Sequence, residues 1–310
     1  MFLNVQLLIL RSDIDSPMRK NAVMRQFDFR YLFSMFLFAL LMVTAEQTKG
    51  QSERKMARIF IKDQKPDKIL LLLPDYVYKF NQNSDLLDTL SYANDQEKEG
   101  VLWKYSHFIQ YISDSTFKKR LEKGYRDEIK AFGIQVFGAD NTAQFFSSAG
   151  KGFIINLAQI ELDEDNYLYT DTAYVESLAY VFKKKLNALD VNIWFEISKV
   201  NAAKNDSTAH QVLFAENLLT DQLEGGFQPD ETGTHFTYPY RIDRLTPDKI
   251  YEFIEDLGRT YADYTFDYML NRYLDRHIPP KGRSKRYWRY DPYHKHLFIA
   301  TDDRFVPLEK

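Results

Sequence analysis

Residues Asp190 to Val200 (DVNIWFEISKV) alternate without a break: Val191, Ile193, Phe195 and Ile197 fall on one side, Asn192, Trp194, Glu196 and Ser198 on the other. A period of two with one apolar side describes a half-buried β-strand. Such a strand needs paired neighbours and a second layer to cover its apolar face. The chain supplies that layer. Thr246-Pro247 is a capping hydroxyl followed by a proline suited to a first helical turn, and Ile250, Phe253, Ile254, Leu257, Tyr261, Tyr264 and Tyr268 then hold one face until Pro279-Pro280. Another helix follows Asp114 as a candidate cap, with Phe117, Leu121, Tyr125, Ile129 and Phe132 on one face and Gly133 at its end.

Further strands are predicted at Lys68 to Pro74 (KILLLLP), at 134–137 and over QVLFAENLL (211–219). Two more are expected at Gly152 to Leu162 and Asn166 to Tyr174, with Asp163-Glu164-Asp165 read as the turn between them. Residues 174–189 read as a strand running into a short connection, Glu97 to Ile112 as a helix, and LEGGFQPDETG (223–233) as a long turn. Parallel pairing of 69–73 with 134–137 is the natural crossover. The predicted fold is mixed α/β (α+β). It is a single sandwich of a mixed, largely antiparallel sheet with helices packed on it and a long C-terminal helix. That domain covers 52–276 and is followed by a basic, aromatic tail, 277–310.

The 310 residues contain no cysteine, which excludes disulfides, thiolate catalysis and cysteine-based metal centres. The net charge of −3 argues against a nucleic-acid partner. Near the start, Arg19, Lys20, Arg25 and Arg30 precede the apolar run Tyr31 to Val43. A helix over that run rises about 20 Å against a hydrocarbon core of about 30 Å, so no stable transmembrane anchor is expected. The basic flank, short apolar run and small-residue exit read as a secretory signal over residues 1–45, cleaved after Ala45 or Gly50. Residues 1–17 read as an over-extended start, with initiation at Met18 or Met24. Without a cysteine to lipidate, the product is expected to be periplasmic or outer-surface associated rather than a lipoprotein.

Chemistry-bearing patterns are sparse. The tail places Arg283, Lys285, Arg286, Trp288 and Arg289 close together, a combination suited to anion or surface contact through guanidinium forks and a stacking ring. His294-x-His296, with His277 and Asp302-Asp303, lacks a fixed third-ligand spacing, so no metal is expected. No cofactor motif is present: Gly150-Lys151-Gly152 is not a phosphate loop, and Ser147-Ser148 lacks the frame of a nucleophile elbow.

The stretches KYSHFIQYISDSTFKKRL (104–121), ALDVNIWFEISKVN (188–201) and LGRTYADYTFDYMLNRY (257–273) resemble uncharacterised exported proteins of the Bacteroidetes. That resemblance implies export and no activity. Asp206-Ser207-Thr208 is similar to the short O-glycosylation motif of that phylum, with Ser207 as acceptor. The element order also resembles the small α/β modules of envelope assembly proteins. The expected function is a non-enzymatic cell-envelope binding or assembly module with an envelope protein or glycan partner. The alternative is an exported hydrolase of glycan or peptidoglycan using carboxylates such as Glu161, Glu196 or Glu216, which requires two carboxyl groups facing each other across a cleft.

Overall fold

A computed structural model describes residues 52–83, 94–175, 178–201, 210–231, 235–283, 286–300 and 305–308. The export segment, Ser207, Lys285 and Asp302-Asp303 lie outside the described residues. The fold is the expected mixed α+β sandwich. Its sheet runs in the order β13-β6-β5-β4-β1-β3, where β1 is Lys68–Leu72, β3 Gln135–Phe137, β4 Gly152–Val175, β5 Leu178–Lys199, β6 His210–Thr220 and β13 Val306–Pro307. β1 lies parallel to both β3 (Ile69 opposite Val136) and β4 (Ile69 opposite Phe153). β4, β5, β6 and β13 are successively antiparallel. β2, Tyr78–Asn81, joins β4 in parallel further along.

Two sequence expectations are corrected here. Asp163-Glu164-Asp165 is not a turn: β4 runs straight through it, and the chain reverses only beyond Val175. The strand stays a strand because each side chain has a face to go to. Asp163 and Asp165 point to the open face, while Glu164, 1% exposed, points inward and accepts the backbone N–H groups of His107, Phe108 and Ile109. Those donors open a short 3₁₀ turn, Ile109–Tyr111, where a carboxylate satisfies groups the turn leaves unpaired. An extra residue, Ala158, also shifts the inward phase from Ile155 and Leu157 to Ile160, Leu162 and Glu164. Second, two stretches read as connections contain strands: 178–189 is the first half of β5, and 223–233 is not one long turn. The latter contains β7 (Gln222–Gly225) and β8 (Gln228–Pro229), which pair with β10 (Tyr240–Asp243) and β9 (Phe236–Thr237).

Helices cover one face of the sheet. α1 spans 52–59 and runs into a π-turn, Phe60–Gln64; α2 is Asp95–Lys104, shorter than its apolar pattern suggests; α3 is Asp114–Ile129; and α5 is Pro247–His277. The cap of α3 is Ser113, whose hydroxyl accepts the N–H of Thr116, and not the expected Asp114, whose carboxylate instead takes the Val77 N–H and pairs with Lys79; Thr246 caps α5 as expected. Gly133 takes the left-handed conformation (φ 71°) that ends the α3 segment. The short helix α4, Thr142–Ser147, lies on the opposite face, where Phe145 packs with Leu70 and Phe137.

α3 and α5 cross at close range through two glycines. A methyl on Gly124 would sit 1.9 Å from the carbonyl oxygen of Glu255, and one on Gly258 would sit 2.3 Å from that of Leu121. Above this contact Arg120 (2.8 Å), Arg259 (2.7 Å) and Lys123 converge on the Glu255 carboxylate. The hydrogen bonds from Lys123 and Arg120 hold its carboxyl down to about 2, against the opposing effect of burial.

Gly124→Ala and Gly258→Ala should each lower stability by about 1–3 kcal/mol in urea denaturation, although alanine is the better helix former by about 1 kcal/mol. Because Glu255 has a folded pKa below its ordinary 4.5, its contribution is complete above that value and lost as pH falls through about 2. The urea midpoint should therefore drop between pH 4.5 and 2, by less in Glu255→Gln than in the parent chain.

Candidate functional site

The end of the sheet's inward face is made by Phe153 on β4 with Lys199 opposite it on β5, and, one rung further in, by Ile197 on β5 with Gln211 opposite it on β6. Over this end hangs the C-terminal part of α5, where Tyr268, Arg272 and Arg276 recur at four-residue spacing and project the same way. The end of α1 closes the side with Phe60 and Gln64. The space between is a cleft of about 280 Å³, with a floor of Phe60, Phe153, Ile197 and Met269. Four basic side chains line it, Lys151, Lys199, Arg272 and Arg276, and among the described residues no carboxylate does. Lys151 donates to the Asp63 carbonyl (2.6 Å) and to Gln64 Oε1 (3.1 Å), so its charge is fixed in place without being neutralised there. Arg272 Nε is buried and has no hydrogen-bond partner among the described residues. Burial raises the pKa of Tyr268, opposed by the charges of Arg272 and Arg276.

The three carboxylates singled out in the sequence emerge elsewhere, on the open face of the sheet. Glu161 and Glu216 both stand opposite Asn192, on β4 and β6, two strand spacings or about 10 Å apart. Glu196 lies further along β5 and accepts from Asn156 Nδ2 at 2.9 Å. All three project from one surface and do not face each other across a gap. Sequence reasoning missed Asp190 on the same face, whose pKa is raised by burial and then by the charges of Glu216, Asp163 and Asp165. Alternation through 163–165 and 190–196 carried the signal for that row, but the turn assignment hid it. Among the described residues no group of side chains could hold a metal ion.

Beyond Ala188, where β6 ends, β4 and β5 continue as a two-stranded arm to the Val175–Leu178 pair, about 30 Å further. One side of the arm is partly covered, while Leu178 and Tyr167 on that side stay exposed. Phe182 stacks on Tyr238 at 3.8 Å, Tyr180 packs on Phe236, and Tyr238 donates to Asp171 (2.8 Å). The other side carries Leu168, Tyr174 and Val181, which are 52%, 77% and 54% exposed.

The tail residues are mostly structural. β11 (Tyr287–Asp291) and β12 (His296–Ala300) form a hairpin against α5. Asn271 both donates to the Trp288 carbonyl (2.7 Å) and accepts its N–H (3.0 Å), as a neighbouring strand would. Trp288 is 3% exposed, and its indole N–H donates to Glu53 Oε2 at 2.9 Å. Arg283 pairs with the fully buried Glu53 (3.2 Å) and with Asp275 (2.8 Å). The Trp288 ring and the Arg283 fork are thus turned into the fold, whereas Arg286 is exposed and Arg289 half-buried. His294 is held by Asp291 (2.6 Å), away from His277, which bonds the Tyr273 carbonyl.

No protein-family model matches this chain, and no curated protein matches it. Among the described residues no helix is long and apolar enough to cross a membrane. The tail contacts make a direct prediction. Glu53→Ala strands the Trp288 N–H and one face of Arg283, so it should cost about 3 kcal/mol in urea denaturation. It should also expose the 280–290 segment to limited proteolysis.

Proposed function

We propose that the chain is a non-enzymatic binding or assembly module of the cell envelope, acting in the periplasm or at the outer surface, and that it meets an envelope protein through the β4–β5 arm. The observation that carries this reading is the exposure of Leu168, Tyr174 and Val181 on one side of an arm whose other side is partly covered by aromatic packing. Tyr174 and Val181 are neighbours on this face, with Thr170 and Lys183 between them and Leu168, and exposed apolar side chains on a projecting element mark an interaction surface. Past Ala188 the arm also has backbone edge that β6 does not pair, which suits strand addition by a partner. Export rests on the basic flank and short apolar run at the N-terminus.

The hydrolase reading draws less support. Glycoside hydrolysis needs carboxyl groups about 5–9.5 Å apart on either side of the bond to be cleaved. Glu161, Glu196 and Glu216 share one sheet face, and the cleft under α5 is lined by cations.

A photo-crosslinking phenylalanine analogue at position 174, introduced in cells, should give a discrete adduct with an envelope protein. The adduct should vanish when Leu168→Thr and Val181→Thr are added, with the melting temperature of the purified chain unchanged. A chain that yields no adduct overturns the proposal. So does peptidoglycan hydrolysis by the purified chain that is abolished by Glu161→Gln with Glu216→Gln.

A further inference from the structure

The cleft beneath the C-terminal part of α5 serves neither the arm nor the core. An enclosed space with an apolar floor normally closes on itself or is filled by side chains. Here it stays open because long cationic side chains come from three directions: Lys199 from β5, Lys151 from the start of β4, and Arg272 and Arg276 from α5. Like charges brought together beside apolar surface repel one another and lose solvation, and an anion placed among them relieves both costs. The nearest acidic group on α5, Asp275, is already engaged by Arg283 at 2.8 Å. Asp63 lies on the outer side of α1 among Arg54, Arg58 and Lys62. Arg272 supplies a buried Nε–H with no partner among the described residues, and a guanidinium presents its donors in a fork that matches a carboxylate or phosphate.

We infer that this cleft binds a small amphipathic anion: a carboxylate or phosphate head held by Arg272 and Lys199, with an apolar tail on Phe153, Ile197 and Met269. The size sets the tail. At about 30 Å³ per water-sized unit, 280 Å³ holds on the order of nine non-hydrogen atoms, a short acyl chain and not a full-length lipid. The cations explain why the ligand is an anion, and the floor explains why a bare inorganic anion is insufficient. The site is separate from the arm, so it stands or falls independently of the assembly role.

Calorimetric titration of the purified chain tests it, using octanoate, octyl phosphate, octylammonium and inorganic phosphate. Octanoate or octyl phosphate should bind at one per chain, and octylammonium and inorganic phosphate at least tenfold more weakly. Arg272→Met with Lys199→Met should weaken octyl phosphate at least tenfold while leaving the unliganded melting temperature within a few degrees, and Arg272→Lys should keep part of the affinity. The inference is overturned if neither octanoate nor octyl phosphate saturates. It is equally overturned if octylammonium binds as well as the anions, if inorganic phosphate matches octyl phosphate, or if the folded double variant binds unchanged.

Discussion

The antiparallel ladder between β4 and β5 is the contact on which the other elements depend. It pairs residues continuously from Phe153–Lys199 to Val175–Leu178 with a single bulge. Its first half is the centre of the sheet, and its second half is the arm. Backbone hydrogen bonding does not distinguish the two: once register is set, every second opposed pair exchanges the same two bonds whether or not a helix lies beneath. What differs is the side chains. In the core half Ile155, Leu162, Val191 and Phe195 are buried against helices, whereas in the arm Phe182 and Tyr180 find cover only from the short strands of 222–243. One hydrogen-bonded ribbon therefore carries both the centre of the fold and the exposed Leu168, Tyr174 and Val181.

The helix layer is positioned by the close crossing of α3 and α5. Two glycines let the backbones touch, and the Glu255 carboxylate with its three cationic partners pins the crossing from outside. At 31 residues α5 is about 46 Å long, more than the helical cover the sheet requires. Its final turns overrun the end of the sheet. The cleft is the gap left by that overrun, and its basic lining follows from Arg272 and Arg276 standing one turn apart.

Three inward-turned carboxylates act as tie-points between segments far apart in sequence. Glu164 holds the 107–109 turn, Glu53 holds Arg283 and Trp288, and Glu255 holds α3 to α5. Acidic residues read from sequence are assigned to the surface because burial of an unpaired charge is costly. Each of these is acceptable inside because backbone N–H groups or cations meet it, and those partners lie 55 or more residues away for Glu164 and more than 200 for Glu53. No local pattern announces them.

What the sequence alone determined was much of what short-range periodicity and caps govern. The half-buried strand at 190–200, the helix opened by Thr246-Pro247 and stopped before Pro279-Pro280, the left-handed Gly133 and the parallel pairing of 69–73 with 134–137 were all legible. Those features depend on residues within one or two turns of each other, or on simple chain connectivity. Only the tertiary structure decided that 163–165 continues a strand, that Trp288 and Arg283 face inward, and that four cations from three elements meet over an apolar floor. The reason is physical: a charged side chain takes its place from whichever distant donor or acceptor satisfies it, and that partner is chosen by the packing of the whole chain.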